Sequence, residues 1–127
     1  MDAKEEIIRN YIHAYNSFDV KGMVRDLAPS VKFTNLSNGK VTLATEGLKA
    51  FEEQAMQAVV LFSQRKQTIL SVSHTDDNTV EIGIDYHAIL AVDLPNGLNK
   101  GDELSLSGKS IFTFNAENQI TALKDVS

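Results

Sequence analysis

The side chains able to do chemistry are few, and they are scattered along the chain. Tyr11 and Tyr15 stand four residues apart, about one helical turn, so both phenols share a face and either can donate a hydrogen bond. Asn35 closes the alternating run Val31-Lys32-Phe33-Thr34-Asn35, and its parity with Val31 and Phe33 turns its amide inward, where it needs partners; its other reading is to tie down the Ser37-Asn38-Gly39 turn. Ser110 falls between Gly108 and Phe112 on an inward row, and a small polar side chain there leaves space. Asp125, near the carboxyl end of the last alternating run, is a further acid to weigh; its alternative is a solvated terminal charge. Tyr86 has the same parity as its apolar neighbours. The candidate chemical set is therefore Tyr11, Asn35, Ser110 and Asp125, with Tyr15, Phe33, Phe62, Tyr86 and Phe112 as ligand-contacting walls. Each aromatic in that set also has a plain packing role open to it.

Asp85 and His87 are two apart on one strand, a spacing that suits a proton relay or a pair of metal ligands. Their parity sends them outward and no third ligand stands near, so a surface or interface position is expected. His13 falls opposite Tyr11 on its helix and His74 precedes a turn, so neither fits a catalytic role. There is no paired-His helix motif, no acidic loop of calcium-binding spacing and no glycine-rich phosphate loop. Neither a metal nor a cofactor is expected.

The elements that must position these residues follow from the hydrophobic period. Ile8, Tyr11, Ile12, Tyr15 and Phe18 recur every three or four residues, which predicts a helix over 4–18. Asp19 caps a short second helix that Pro29 stops. A strand over 31–36, the turn Ser37-Asn38-Gly39-Lys40 and a short strand at 41–43 come next. Thr45 is expected to cap a third helix carrying Leu48, Phe51, Ala55, Val59 and Phe62 inward and ending near Gln64. The period then changes to two, predicting strands over 66–74, 79–93, 103–115 and 120–126. The long connection Leu94–Asp102 could fold over the site as a flap or stand as a mobile tip. Helices followed by an antiparallel meander, with no βαβ alternation, predict an α+β fold with the helices on one face of the sheet.

The chain's 127 residues, 43% hydrophobic and 23% charged, suit one globular domain over 1–127. A net charge of -5 argues against nucleic acid, and the absence of cysteine excludes disulfide scaffolds, thiolate nucleophiles and iron–sulfur clusters. No apolar run approaches the roughly 18 residues of a membrane span, so no membrane partner and a cytoplasmic location are expected. The outer sheet face carries Ile69, Ile89, Ala91 and Ile111 among its polar residues, which predicts a homodimer through that face. Scattered surface apolar residues are the other reading.

Several local strings resemble the nuclear transport factor 2-like superfamily, in its SnoaL-like and ketosteroid isomerase-like branch. They are Asn10–Asn16 running into Phe18–Val24, then Leu27–Phe33, Gly47–Phe51, Gly108–Phe114 and Asn118–Thr121, spanning nearly the whole chain. The resemblance implies a cone-shaped, cystatin-like roll, three N-terminal helices packed on a curved antiparallel sheet. It also implies a cavity for a small apolar or carbonyl-bearing ligand, in a superfamily that holds isomerases, cyclases, hydrolases and pure binding modules. Ketosteroid isomerases combine a carboxylate base with an oxyanion hole of a tyrosine and a protonated acid. The tyrosine would fall on Tyr11, the base on Asn35 and the acid on Ser110; the acid/base aspartate of SnoaL-like cyclases would also fall on Ser110. Both carboxyl groups are thus replaced, and an amide and a hydroxyl cannot take a proton from carbon near neutral pH. Two functions remain open: weak acid/base chemistry with Tyr11 as oxyanion donor and Asp125 or Tyr86 as proton carrier, or a ligand-binding or dimerisation module without chemistry. A third is a partner-binding protein using the outer face.

Overall fold

The computed structural model describes residues 2–127. The Asp2 carboxylate accepts from the amides of Lys4 at 2.8 Å and Glu5 at 3.3 Å, which starts α1 (Ala3–Asn16). The helix stops in a Schellman geometry. The Asp19 amide donates to the Ala14 carbonyl at 2.9 Å and the Phe18 amide to the Tyr15 carbonyl at 3.2 Å, with Phe18 at φ 58°. A phenylalanine in this left-handed position costs about 1 kcal/mol relative to glycine. Asp19 then accepts from the Gly22 amide at 3.0 Å and opens α2 (Val20–Val24).

The chain enters β1 (Leu27–Ser37) earlier than the sequence pattern predicts, with Pro29 inside the strand. Proline is tolerated there because the pairing of β1 with its parallel neighbour is interrupted between Leu27 and Lys32. Asn38 and Gly39, at φ 53° and 79°, turn the chain into β2 (Lys40–Glu46), as a two-residue hairpin requires. Thr45 does not cap the third helix: it lies in β2 opposite Phe33, and its buried hydroxyl has no partner. Gly47, at φ 93°, makes the turn into α3 (Leu48–Val59) instead. Phe62 is likewise not helical, since it opens β3 (Phe62–Asp76). The remaining strands are β4 (Thr79–Leu90), β5 (Glu103–Phe114) and β6 (Ile120–Val126).

All strands join one six-stranded sheet in the order β2-β1-β6-β5-β4-β3. Every neighbouring pair is antiparallel except β1 and β6, which run parallel. The helices lie on one face of this sheet, in the expected α+β arrangement. Ile8, Tyr11 and Ile12 from α1 and Phe51 and Ala55 from α3 are buried with Val80, Ile82, Phe112 and Leu123 of the sheet. Phe51 meets Phe33 edge to face at 5.5 Å, and Tyr11 meets Phe112 at 5.7 Å. Fully burying side chains of this size contributes about 2–3 kcal/mol each.

The inward parity of β4 holds, with Val80, Ile82, Ile84, Ala88 and Leu90 buried. Ile69 departs from the outer-face expectation. It pairs with Ile84 and packs against the core, because β3 is bulged between Ile69 and Ser71. The outer face carries an ion pair between Lys109 and Glu81 at 3.4 Å and a contact of His87 with Asp85 at 3.1 Å. Among the described residues no helix is long and apolar enough to cross a membrane.

Candidate functional site

Strand register brings three of the four candidate chemical residues into one line. Asn35 of β1 is opposite Asp125 of β6, and Asp125 is opposite Ser110 of β5. The carboxylate that the sequence lacks at positions 35 and 110 thus stands on the strand between them. Ser110 donates its hydroxyl to Asp125 Oδ1 at 2.7 Å. Burial pushes the Asp125 carboxyl up from 3.8 to about 6, and the Ser110 hydrogen bond partly offsets that rise by favouring the charged form. A carboxyl poised there exchanges protons near neutral pH.

Two adjoining cavities, of about 340 and 210 Å³, meet at Asp125, Asn35 and Tyr15, which line both. The larger runs beneath Tyr86, Phe62 and Ile84 to Leu104 and Leu106 at its mouth. This explains why Leu106 lies on an inward row yet is 49% exposed. The smaller lies between sheet and helices, with Tyr11, Phe33 and Arg65 in its wall. Phe112 is fully buried beneath Tyr11 and supports that ring from behind, so it is core and not cavity wall. The Leu94–Asp102 connection closes on itself, the Leu94 amide donating to the Leu98 carbonyl at 2.7 Å and the Gly101 amide to the Leu90 carbonyl at 2.8 Å. It gives no residue to either wall.

The Tyr11 hydroxyl has no protein partner among the described residues and is not sealed off from the smaller cavity. Its pKa is raised well above the usual phenol value, first by burial and then by Asp125, so it keeps its proton. Tyr15 donates to the Tyr86 hydroxyl at 3.0 Å, and burial raises both phenols. Asn35 gives Nδ2 to Thr42 Oγ1 at 2.7 Å, which fixes its side chain to β2. The site depends on Gly108: a Cβ there would collide with the backbone carbonyl of Val126, next to Asp125. Asp85 and His87 stay on the outer face, as their parity predicts, and no cluster of metal-ligating side chains occurs among the described residues.

Sequence reasoning missed Arg65. It sits in the polar run Gln64-Arg65-Lys66-Gln67, at the predicted junction of helix and strand, and reads there as a surface charge. In the fold it is 5% exposed and opposite Ala88, on the same inward row as Gln67 and Ile69. Placing Ile69 inward would have found it.

A family model for the SnoaL-like domain matches residues 8–123. The chain belongs to the SnoaL-like family. Solved structures similar to this SnoaL-like domain include a candidate polyketide cyclase from Xanthomonas campestris pv. campestris, 22% identical, with a TM-score of 0.80 over 98% of this chain and 89% of that one. A candidate SnoaL-like polyketide cyclase from Jannaschia sp. CCS1 is 12% identical, with a TM-score of 0.79 over 96% and 83%. SalBIII, an epoxide hydrolase/cyclase-like enzyme of pyran ring formation in the polyether salinomycin, is 19% identical, with a TM-score of 0.78 over 97% and 88%. At these identities the likeness establishes the shared fold. No curated protein matches the sequence. Asp125 lies two residues beyond the segment that the SnoaL-like model matches.

Proposed function

We propose that the protein binds a small, mostly apolar, carbonyl-bearing molecule and moves a proton at the carbon next to its carbonyl. The observation that carries this reading is a carboxyl held near neutrality in a cavity whose wall also presents the free Tyr11 hydroxyl. The Asp125 carboxylate takes the proton from carbon; the C–H electron pair becomes the carbon–carbon double bond of an enolate as the carbonyl π pair moves onto oxygen. Tyr11 donates a hydrogen bond to the resulting enolate, and Asp125 returns the proton to the same or a neighbouring atom. Such a step is common to isomerisations and carbon-bond-forming cyclisations, and the similarity to cyclase-like structures supports it as well.

The test is deuterium exchange at the acidic methylene of 2-tetralone, a neutral bicyclic ketone, followed by NMR in heavy water. Acceleration by the wild type that drops about 100-fold in Asp125→Asn is the expected result. Exchange equal to that of buffer would leave a binding module without chemistry. A second copy of the chain on the outer sheet face, over Ile89 and Ile111, accounts for apolar residues on a face that no helix covers.

A further inference from the structure

Arg65 is a cation without a counter-ion. It is almost wholly buried, and no carboxylate pairs with it among the described residues. Burying an isolated charge is expensive, and what holds this one is partial. Its Nε donates to the Tyr15 carbonyl at 2.9 Å, in the last turn of α1, where the helix dipole is negative. Its guanidinium lies over the Tyr15 ring at 3.8 Å and the Phe18 ring at 4.7 Å. Nη2 has only a thioether contact, 3.9 Å from Met23 Sδ.

The group is also built into place. Asn16 and Gln67 clamp the end of α1 to β3 beside Arg65 through two hydrogen bonds, of 3.0 and 2.7 Å. The left-handed backbone of Phe18 brings the second ring over the guanidinium. Nη1 has no protein partner among the described residues and is not sealed in, and Arg65 forms part of the wall of the smaller cavity. A rigid, desolvated fork of donors with one free edge matches a planar anion.

We propose that Arg65 is the anchor for a carboxylate on the ligand, so that the molecule bound here is a keto acid whose acid end meets Arg65 while its carbonyl end lies near Tyr11 and Asp125. This rests on the reading of the cavity as a carbonyl site and adds the substrate class. A single arginine balances one negative charge, and the same cavity holds Asp125, so a monoanionic carboxylate fits better than a phosphate dianion. Tyr11 and Tyr15 each feel both the Arg65 cation and Asp125, in keeping with a ligand that runs past both phenols.

The experiment is calorimetric titration of the full chain with 3-benzoylpropionate and, separately, with its primary amide, which keeps shape and ketone but removes the charge. The acid is expected to bind at least about tenfold more tightly than the amide. That preference should vanish in Arg65→Met, with amide binding kept, and survive in part in Arg65→Lys. The wild-type comparison of acid with amide needs no variant and stands even if Arg65→Met fails to fold. Equal affinity for acid and amide would overturn the Arg65 assignment and leave the cavity reading intact. Failure of both to bind at millimolar concentration would overturn both. Preference for the acid without deuterium exchange into 2-tetralone would remove the proton-transfer reading alone.

Discussion

Ser110 and Asp125 face each other across β5 and β6 with hydroxyl and carboxylate 2.7 Å apart, and the hydrogen bond opposes the rise in pKa that burial imposes on the acid. Ser110 is thus a tuning group for Asp125. Ser110→Ala removes the donor, so the midpoint of Asp125 should move above about 6. The acidic limb of the exchange rate against pH should shift to higher pH with it, while the plateau at high pH changes little. A profile identical to that of the wild type would separate the two residues functionally.

The raised pKa of Asp125 is also a statement about stability. Between about 3.8 and 6 the folded state holds a proton that the unfolded state has released. The stabilising contribution is therefore fully present below the lower value and is lost as pH rises through the upper one. Asp125→Asn should flatten this dependence and raise the unfolding free energy at pH 7.5 by about 1–3 kcal/mol, measured by urea denaturation. Lower stability of the variant at that pH would contradict the assignment.

Tyr11 keeps its ring against Phe112 whether or not it has a hydroxyl, and that hydroxyl has no protein partner to lose among the described residues. Tyr11→Phe should change stability by less than about 0.5 kcal/mol while lowering the exchange rate about 100-fold. Phe112→Ala, a cavity in the core, should instead cost about 3–5 kcal/mol.

Gly108 lets β5 pass close to the Val126 carbonyl, and a methyl group there must displace the end of β6. Gly108→Ala should reduce ligand binding and proton exchange together, with secondary structure kept, as read by circular dichroism. An active variant with normal affinity would show that the end of β6 is free to move without harm to the site.

A dimer through the outer face predicts twice the chain's 14.0 kDa in light scattering at micromolar concentration, reverting to the single mass in Ile111→Lys. A single mass in the wild type ends that reading.

The fold was legible because the period of the sequence changes once, from helical to alternating, and because the inward row of β4 is apolar or aromatic throughout. The boundaries that went astray did so for physical reasons. Thr45 looks like a helix cap, but Gly47 makes the turn by its backbone alone, and Phe62 continues the apolar stripe of α3 while already belonging to β3. The site was legible only in part. Parity placed Asn35, Ser110 and Tyr86 facing inward, but the parallel pairing that sets Asp125 beside Asn35 joins strands far apart in sequence. Arg65 was hidden by the bulge beyond Ile69, which reverses the apparent parity of β3.

The most direct test of the account is a carbon-13 NMR titration of the Asp125 side-chain carboxyl, assigned by comparison with Asp125→Asn, without and with 2-tetralone. A midpoint near 6 that moves when the ketone is added is the predicted result, since the carboxyl then lies in the cavity that takes the ligand. A midpoint near 3.8, indifferent to the ketone, would contradict it.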